Sequence, residues 1–510
     1  MRQFYGDICF MSHNLIQHAL FRAKSVAELD RIAIEERDIP GTVLMKRAGR
    51  SLLTEILESF GAPGLLSIFC GSGNNAGDGY MLAALAAAKN IQVQVIELSQ
   101  KLTADASSAR KFAAEANVTF IPFDNSLSIE QGIIVDCLLG TGFKGALRQP
   151  YGEAIQIIND SGLPLVAADI PSGLNADTGH IAEVAVQANI TVTFIGAKQG
   201  LFTGQGPAVC GEIILDSLDV PDDIYTEVPA SAELLDMTDL LDYLPQLSID
   251  GHKTQRGHSM IVGGERGYGG AAIMAAEACL KTGAGMTSLA TRPEHVAPML
   301  VRQPEVMSSP VVSGQELEPL LERPDVLVVG PGLGRSSWSE QLLQKAVAAG
   351  LPMVLDADGL NILAEGRVVA NPDGSQWVLT PHAGEAARLL GITVAEVQAD
   401  RFAAVRHLQE KYGAVVLLKG PGTLIAGPNE VTKVCPYGNP AMATAGMGDI
   451  LSGIIGALIA QGCDLQTAAE LGCCLHSSAA DLAAEVQGQR GLVATDLITH
   501  LGSLLNQADL

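Results

Sequence analysis

The chemistry available to this sequence is concentrated in a few runs that combine glycine with carboxylates. The longest, residues 439–462 (NPAMATAGMGDILSGIIGALIAQG), sets Gly446 and Gly448 immediately before Asp449 and a small-residue apolar segment holding Ile450, Leu451, Ile454, Ile455 and Leu458. That segment reads as a buried helix. Its glycines leave the first N–H groups uncovered, and unpaired amides at a helix start attract anions through the donors themselves and the helix dipole. Asp449 would stand beside such an anion without binding it. This suits phosphoryl transfer: the amides stabilise charge on the moving phosphate while the carboxylate takes the proton of the attacking hydroxyl. The plainer alternative is a helix cap that happens to be rich in Gly and Asp.

A second set lies in the first half. LLSIFC (65–70) is an apolar run of buried-strand type, closed by GSGNNAGDG (71–79) and followed by a helix-forming stretch. GIIVDCLLGTGFKGAL puts Asp136 in a hydrophobic strand before a glycine loop at 140–145, and LPLVAADIPSG puts Asp169 at the end of another strand, just ahead of Ser172. The C-terminal ends of parallel strands share one edge, so Asn75, Asp78, Asp136, Asp169 and Ser172 are predicted to converge on one crevice. A lone strand-end Asp is commonly a cap or turn residue. Three such ends, two of them with glycine loops, weigh against that explanation. Gly71, Gly73 and Gly77 read GxGxxxG, off the dinucleotide-binding spacing, and no lysine makes the loop a P-loop.

Two sheets are needed to hold these sets. Residues 24–57 read as two helices broken at Pro40 and Gly41, and the strand, glycine loop and helix of 65–90 form the opening unit of a doubly wound sheet. The pattern decays between 220 and 248, where prolines stand at 221, 229 and 245 among many acids. Four parts are expected: a tail (1–23), a first domain (24–221), a linker (222–232) and a second domain (233–510). Within the last, HKTQRGHSMIVGG starts a new α/β series, and DVLVVGPGLG, LPMVLDADGL, QWVLTPHAGE and AVVLLKGPGT supply strands that end in Gly, Asp or His.

Length and composition agree. At 510 residues the chain exceeds one ordinary core, and 47% hydrophobic with 17% charged residues is a globular composition. A net charge of −24 argues against nucleic acid and anionic membranes as partners. Nine cysteines form no CxxC pair and read as reduced thiols. The first 20 residues do not look like a secretion signal, and no apolar run is long enough to span a bilayer. A soluble cytoplasmic protein is expected.

TAGMGD resembles the anion hole and catalytic Asp of ribokinase-like kinases, and within that superfamily residues 439–462 are most similar to the ADP-dependent NAD(P)H-hydrate dehydratases. NNAGDG, VDCLLGTGFKGAL and DIPSG resemble, in order and spacing, the NAD(P)H-hydrate epimerase domain. The resemblance covers nearly the whole chain. It implies two doubly wound three-layer α/β domains, the first Rossmann-like and the second ribokinase-like. It implies that Asn74, Asn75, Ala76, Gly77 and Asp78, with Gly140, Thr141, Gly142, Phe143, Lys144, Gly145 and Ala146, hold the hydrated nucleotide, and that Asn75, Asp136 and Ser172 coordinate K+. Oxygen ligands suit a hard cation. Asp169 is implied beside the reacting ring as the proton-transfer group. In the second domain Ala271, Gly332 and His382 are implied to touch the hydrated nicotinamide nucleotide, with Asp449 as base. Lys419, Gly420, Pro421, Gly422 and Thr423 would lie along the adenine nucleotide, and Gly448 against its phosphates. Glu385 stands where the superfamily often has an acid that organises Mg2+. ADP is the expected co-substrate, hydrated NADH and NADPH are the expected substrates, and the assembly is expected to be a homo-oligomer.

Two other readings remain at this point. A ribokinase-like vitamin or sugar kinase with a regulatory N-terminal domain shares TAGMGD but has no use for NNAGDG and DIPSG. An RNA-decay scaffold resembles the first half, but the acidic charge opposes it.

Overall fold

The computed structural model describes residues 9–10, 16, 18–99, 101–246, 252–369 and 372–506. The chain divides into two compact units between Glu233 and Leu234.

In the first unit an all-parallel sheet runs Cys9–Phe10, Glu212–Asp216, Ile190–Phe194, Leu165–Ala168, Ile133–Cys137, Leu65–Cys70, Gln92–Glu97, Thr119–Pro122. The chain winds outward in one direction from Leu65–Cys70 and returns to wind the other way from Ile133–Cys137, so the switch point lies between those two strands. Alternate side chains serve opposite faces, as a pleated strand requires. Leu66 and Ile68 join the core beneath the Gly41–Phe60 and Asn74–Ala88 helices, whereas Phe69, Ile96 and Ile134 pack on Ala154, Ile155 and Ile158 of the Tyr151–Asp160 helix. Burial on both faces is why these strands read as unbroken apolar runs. Asp136, fully buried within one of them, has no packing explanation.

The second unit's sheet runs Met307–Pro310, Met286–Thr291, His258–Val262, Val326–Val329, Met353–Leu355, Trp377–Leu379, Val415–Leu418, Thr423–Ala426, Thr432–Cys435, parallel as far as Val415–Leu418 and antiparallel beyond it. Met447–Ala460 is a helix, as its sequence suggests. It packs with Gly269–Lys281, Leu465–Gln487 and Ala494–Leu505 into one core with Ile261, Val328, Val354 and Val378 of the sheet.

Two stretches hold more structure than the sequence pattern suggests. Within the expected tail, Ala19–Phe21 forms a strand parallel to Ala197–Lys198 and antiparallel to Ala232 and Glu233, and Cys9–Phe10 lies along Glu212–Asp216. Within the expected linker, Ile224–Glu227 is a helical turn whose Ile224 is buried. Such short pieces carry too few periods for a sequence pattern to show; they form because an existing core or sheet edge accepts them. Among the described residues no helix is long and apolar enough to cross a membrane.

Candidate functional site

At the C-terminal edge of the first sheet lies a cavity of about 420 Å³ lined by Asn74, Asn75, Asp78, Gly140, Thr141, Gly142 and Asp169, all singled out by sequence. Ala76 and Gly77 are buried in the helix behind it. Phe143, Lys144, Gly145 and Ala146 do not line the cavity; Lys144 reaches Asp177 instead, at 3.5 Å.

Beneath the cavity Asp136 and Ser172 are tied together. The Ser172 hydroxyl donates to Asp136 Oδ1 at 2.7 Å, the Ser172 N–H to Oδ2 at 2.7 Å, and the Leu138 N–H to Oδ1 at 3.1 Å. Burial pushes the Asp136 carboxyl up to about 6 despite those bonds. Asn75 Nδ2 donates to the Leu139 carbonyl at 3.0 Å, which leaves Asn75 Oδ1 buried with no hydrogen-bond partner. Asn75 and Ser172 both bond to Leu139, whose N–H donates to Ser172 Oγ at 2.8 Å, so a buried amide oxygen, a buried carboxylate and a hydroxyl flank one loop, and among the described residues no ion pair engages Asp136. These donors fit a hard monovalent cation such as K+.

Asp169 is held differently. It adopts φ +67° at the end of Leu165–Ala168 and accepts from the ammonium of Lys198, a side chain that is fully buried. Lys198 also donates to Thr193 Oγ1 at 3.0 Å and to the Phe194 carbonyl at 2.9 Å. The sequence reading missed Lys198 and Asp30, which line the same cavity. Lysine in the apolar run ITVTFIGAKQG was the available signal, since a lysine there is seldom buried without a partner.

In the second unit the start of Met447–Ala460 carries the other candidates. Gly446 takes φ +96°, a conformation costly to any residue with a Cβ, and Asp449 falls in the helix's first turn. Burial, and after it the nearby Asp356 carboxylate, push Asp449 up to about 7 against the pull of Lys419. Lys419 Nζ donates to Asp356 Oδ1 at 2.8 Å, and Ser452 Oγ donates to Asp356 Oδ2 at 2.7 Å. Asp356 and Ser452 are both buried, and the sequence reading named neither. Lys419, expected along the adenine nucleotide, thus points its ammonium at the Asp356 side of Gly448: a Cβ added to Gly448 would lie 3.0 Å from Lys419 Nζ and 3.4 Å from Asp356 Oδ2. Thr423 Oγ1 donates to the Gly420 carbonyl at 2.9 Å, closing the loop that Pro421 and Gly422 complete.

His382 caps the Ala383–Leu390 helix: its Nδ1 accepts from the Gly384 N–H at 2.9 Å, and its own N–H donates to Glu385 Oε2 at 2.8 Å. Partial burial, then the positive charge of Lys419, lower its pKa, while its Nε2 lies 3.3 Å from Glu385 Oε1. Burial raises Glu385 to about 7, with Lys419 opposing and Asp356 adding to the rise. Gly332 and Ala271 are neighbours, since a Cβ on Gly332 would lie 3.1 Å from that of Ala271.

A parallel α/β unit with a carboxylate-lined cavity at its switch point, joined to an α/β unit that presents a glycine turn and a half-buried Asp at a helix start, is the build of a two-site enzyme acting on phosphorylated ligands. Comparison with known proteins narrows this. Residues 259–502 match the family model for NAD(P)H-hydrate dehydratase, and residues 41–200 match that for the N-terminus of YjeF-related proteins. The chain is 45% identical over 489 residues to the bifunctional NAD(P)H-hydrate repair enzyme Nnr of Coxiella burnetii, covering 96% of this chain and 99% of that one. It is 42% identical to the Vibrio cholerae enzyme of the same name (95% and 98% covered) and 38% identical to that of Escherichia coli (96% and 95%). Among solved structures, a hypothetical protein of Streptococcus mutans aligns over 54% of this chain and all of its own length, with 26% identity and a TM-score of 0.50. The chain belongs to the family of bifunctional NAD(P)H-hydrate repair enzymes.

Proposed function

We propose that residues 24–221 interconvert the R and S forms of hydrated NADH and NADPH, and that residues 233–510 dehydrate the S form at the expense of ADP, releasing AMP and phosphate. Hydration leaves a hydroxyl on the ring carbon beside the ring nitrogen, and hydroxide leaves poorly. When Asp449 takes the hydroxyl proton, the oxygen attacks the β-phosphorus of ADP and AMP departs. The ring nitrogen's lone pair then expels the phosphate, and loss of a proton from the adjacent carbon restores the double bond. The observation that carries this reading is Asp449, a half-buried carboxyl in the first turn of a helix whose leading amides are bared by Gly446 and Gly448. The N-terminal amides hold the phosphates. Among the described residues no three carboxylate, His or Cys side chains form a metal cage. Mg2+ held by Glu385 together with the nucleotide's own phosphates fits that, since this ion usually keeps waters and few protein ligands. Bound there it would neutralise phosphate charge.

The test is recovery of reduced-nicotinamide absorbance from hydrated NADH with ADP, ATP or neither. Recovery with ADP supports the reading; none with either nucleotide overturns it, and faster recovery with ATP overturns the choice of donor. Gly448→Val should weaken adenine-nucleotide binding at least about tenfold, or ~1.4 kcal/mol, because its side chain intrudes between Lys419 and the anion hole. Calorimetric titration with ADP reads this, and epimerisation should be unchanged. K+ at Asn75, Asp136 and Ser172 should stabilise the first unit. At about 100 times its dissociation constant the linkage is ~2.7 kcal/mol, visible as a rise in melting temperature that Li+ at equal ionic strength does not give and that Asn75→Ala abolishes.

A further inference from the structure

The cavity of the first unit holds more acid than its one cation can balance. Lys198 is paired with Asp169. Asp30, from the Ala23–Glu35 helix, and Asp78, from Asn74–Ala88, line the same space. No hydrogen bond or ion pair among the described residues engages either carboxyl. Asp105, from Ala104–Glu115, lines it too. The neighbouring Ile224–Glu227 turn adds nothing that could neutralise them: Tyr225 gives its hydroxyl to the Ile195 carbonyl at 2.7 Å, while Asp223 and Glu227 pair with Arg37. Burial raises Asp30 to about 6, with Lys198 opposing and Asp169 adding to the rise; burial, then Asp169 and Asp30, push Asp78 well above its ordinary value. These carboxyls share with Asp169 and Lys198 the one cavity of about 420 Å³ that the epimerase reading assigns to the hydrated ring.

Inverting a carbinol carbon inside a closed site is best served by two proton-transfer groups, because the departing and arriving oxygens use opposite faces of the ring. Asp169 comes from the strand ends and Asp30 from the covering helix. We propose that Asp30 is the second acid–base group of the epimerase site, giving a proton to the hydroxyl that leaves the face of the ring opposite Asp169. The inference rests on the epimerase reading above. As the ring nitrogen's lone pair forms the C=N bond, the C–O pair goes to oxygen and the Asp30 proton converts it to water. A second water then attacks the other face, its proton goes to Asp169, and the C=N pair returns to nitrogen. Asp30 ends as a carboxylate and Asp169 protonated, the state from which the reverse inversion starts; solvent exchange resets both groups.

The experiment follows interconversion of separated R and S hydrates of NADH by chromatography, with full-length protein and no ADP, across pH 5 to 9. The wild type should lose rate as pH rises past the ionisation of Asp30. Asp30→Asn should be slower by about 10²-fold and lack that alkaline fall, while Asp30→Glu should recover part of the rate and show the fall again. ADP-driven dehydration of the S form should be unaffected in both. Near-normal inversion by Asp30→Asn, or equal loss with an unaltered profile in Asn and Glu variants, would overturn the assignment. A wild type that does not interconvert the epimers would instead overturn the epimerase reading itself.

Discussion

Asp449→Asn should lower the single-turnover rate of dehydration by about 10²- to 10⁴-fold while ADP still binds and epimerisation continues. Asparagine keeps the size and can still accept a hydrogen bond, but it cannot take a proton, so the substrate hydroxyl never becomes the nucleophile. The amides bared by Gly446 and Gly448 are untouched, and removing a neighbouring negative charge should leave phosphate affinity the same or slightly tighter. The pH dependence follows from the direction of the shift. A base must be ionised to act, and burial together with Asp356 raises Asp449 to about 7. Wild-type dehydration should therefore climb as pH rises through about 7, and the Asn variant should lose that limb. If the Asn variant turned over at near the normal rate, Asp449 would be only a helix-start residue, and another group in the Lys419–Asp356–Ser452 set would have to take the proton.

Much of what gathers at the two candidate sites was legible because glycine and carboxylate at a strand end are hard to explain by packing. TAGMGD announced a helix start, and Asp136 in IIVDC had to be satisfied by something other than apolar neighbours. What stayed hidden was of two kinds. Lys198, Asp356 and Ser452 act through partners distant in sequence: Asp356 accepts from Lys419 63 residues away and from Ser452 96 residues away, and no local pattern encodes such a meeting. Asp30 sits in a regular amphipathic helix among other charged residues, where an acid normally means a solvated face. Glycine by itself was the weaker signal. Gly71, whose spacing to Gly73 and Gly77 is off the dinucleotide-binding pattern, is required by close approach, since a Cβ there would lie 1.9 Å from the Leu138 carbonyl oxygen. The strands Cys9–Phe10 and Ala19–Phe21 were hidden for a third reason: two or three residues hold no period to read.

Asp169→Asn should slow epimerisation by about 10²- to 10⁴-fold and leave dehydration of the S form intact in the same molecule. The partnership with Lys198 complicates any truncation. Lys198 is fully buried, and stripping a buried ammonium of its carboxylate costs about 3–5 kcal/mol. Asp169→Ala would therefore risk losing activity by loosening the site rather than by losing the proton-transfer group. Asparagine keeps an oxygen where the Lys198 ammonium now finds one, and the double variant Asp169→Asn with Lys198→Met removes the stranded charge altogether. If Asp169 transfers the proton, the double variant should regain melting temperature over the single one without regaining epimerisation. If Asp169 serves only to neutralise Lys198, relieving that charge should bring the rate back towards wild type. The decisive measurement is thus a pair, the melting temperature of the first unit and the R-to-S interconversion rate, followed in the single and double variants. Recovery of both together would remove Asp169 from the chemistry and leave Asp30 and Asp78 as the groups to test next.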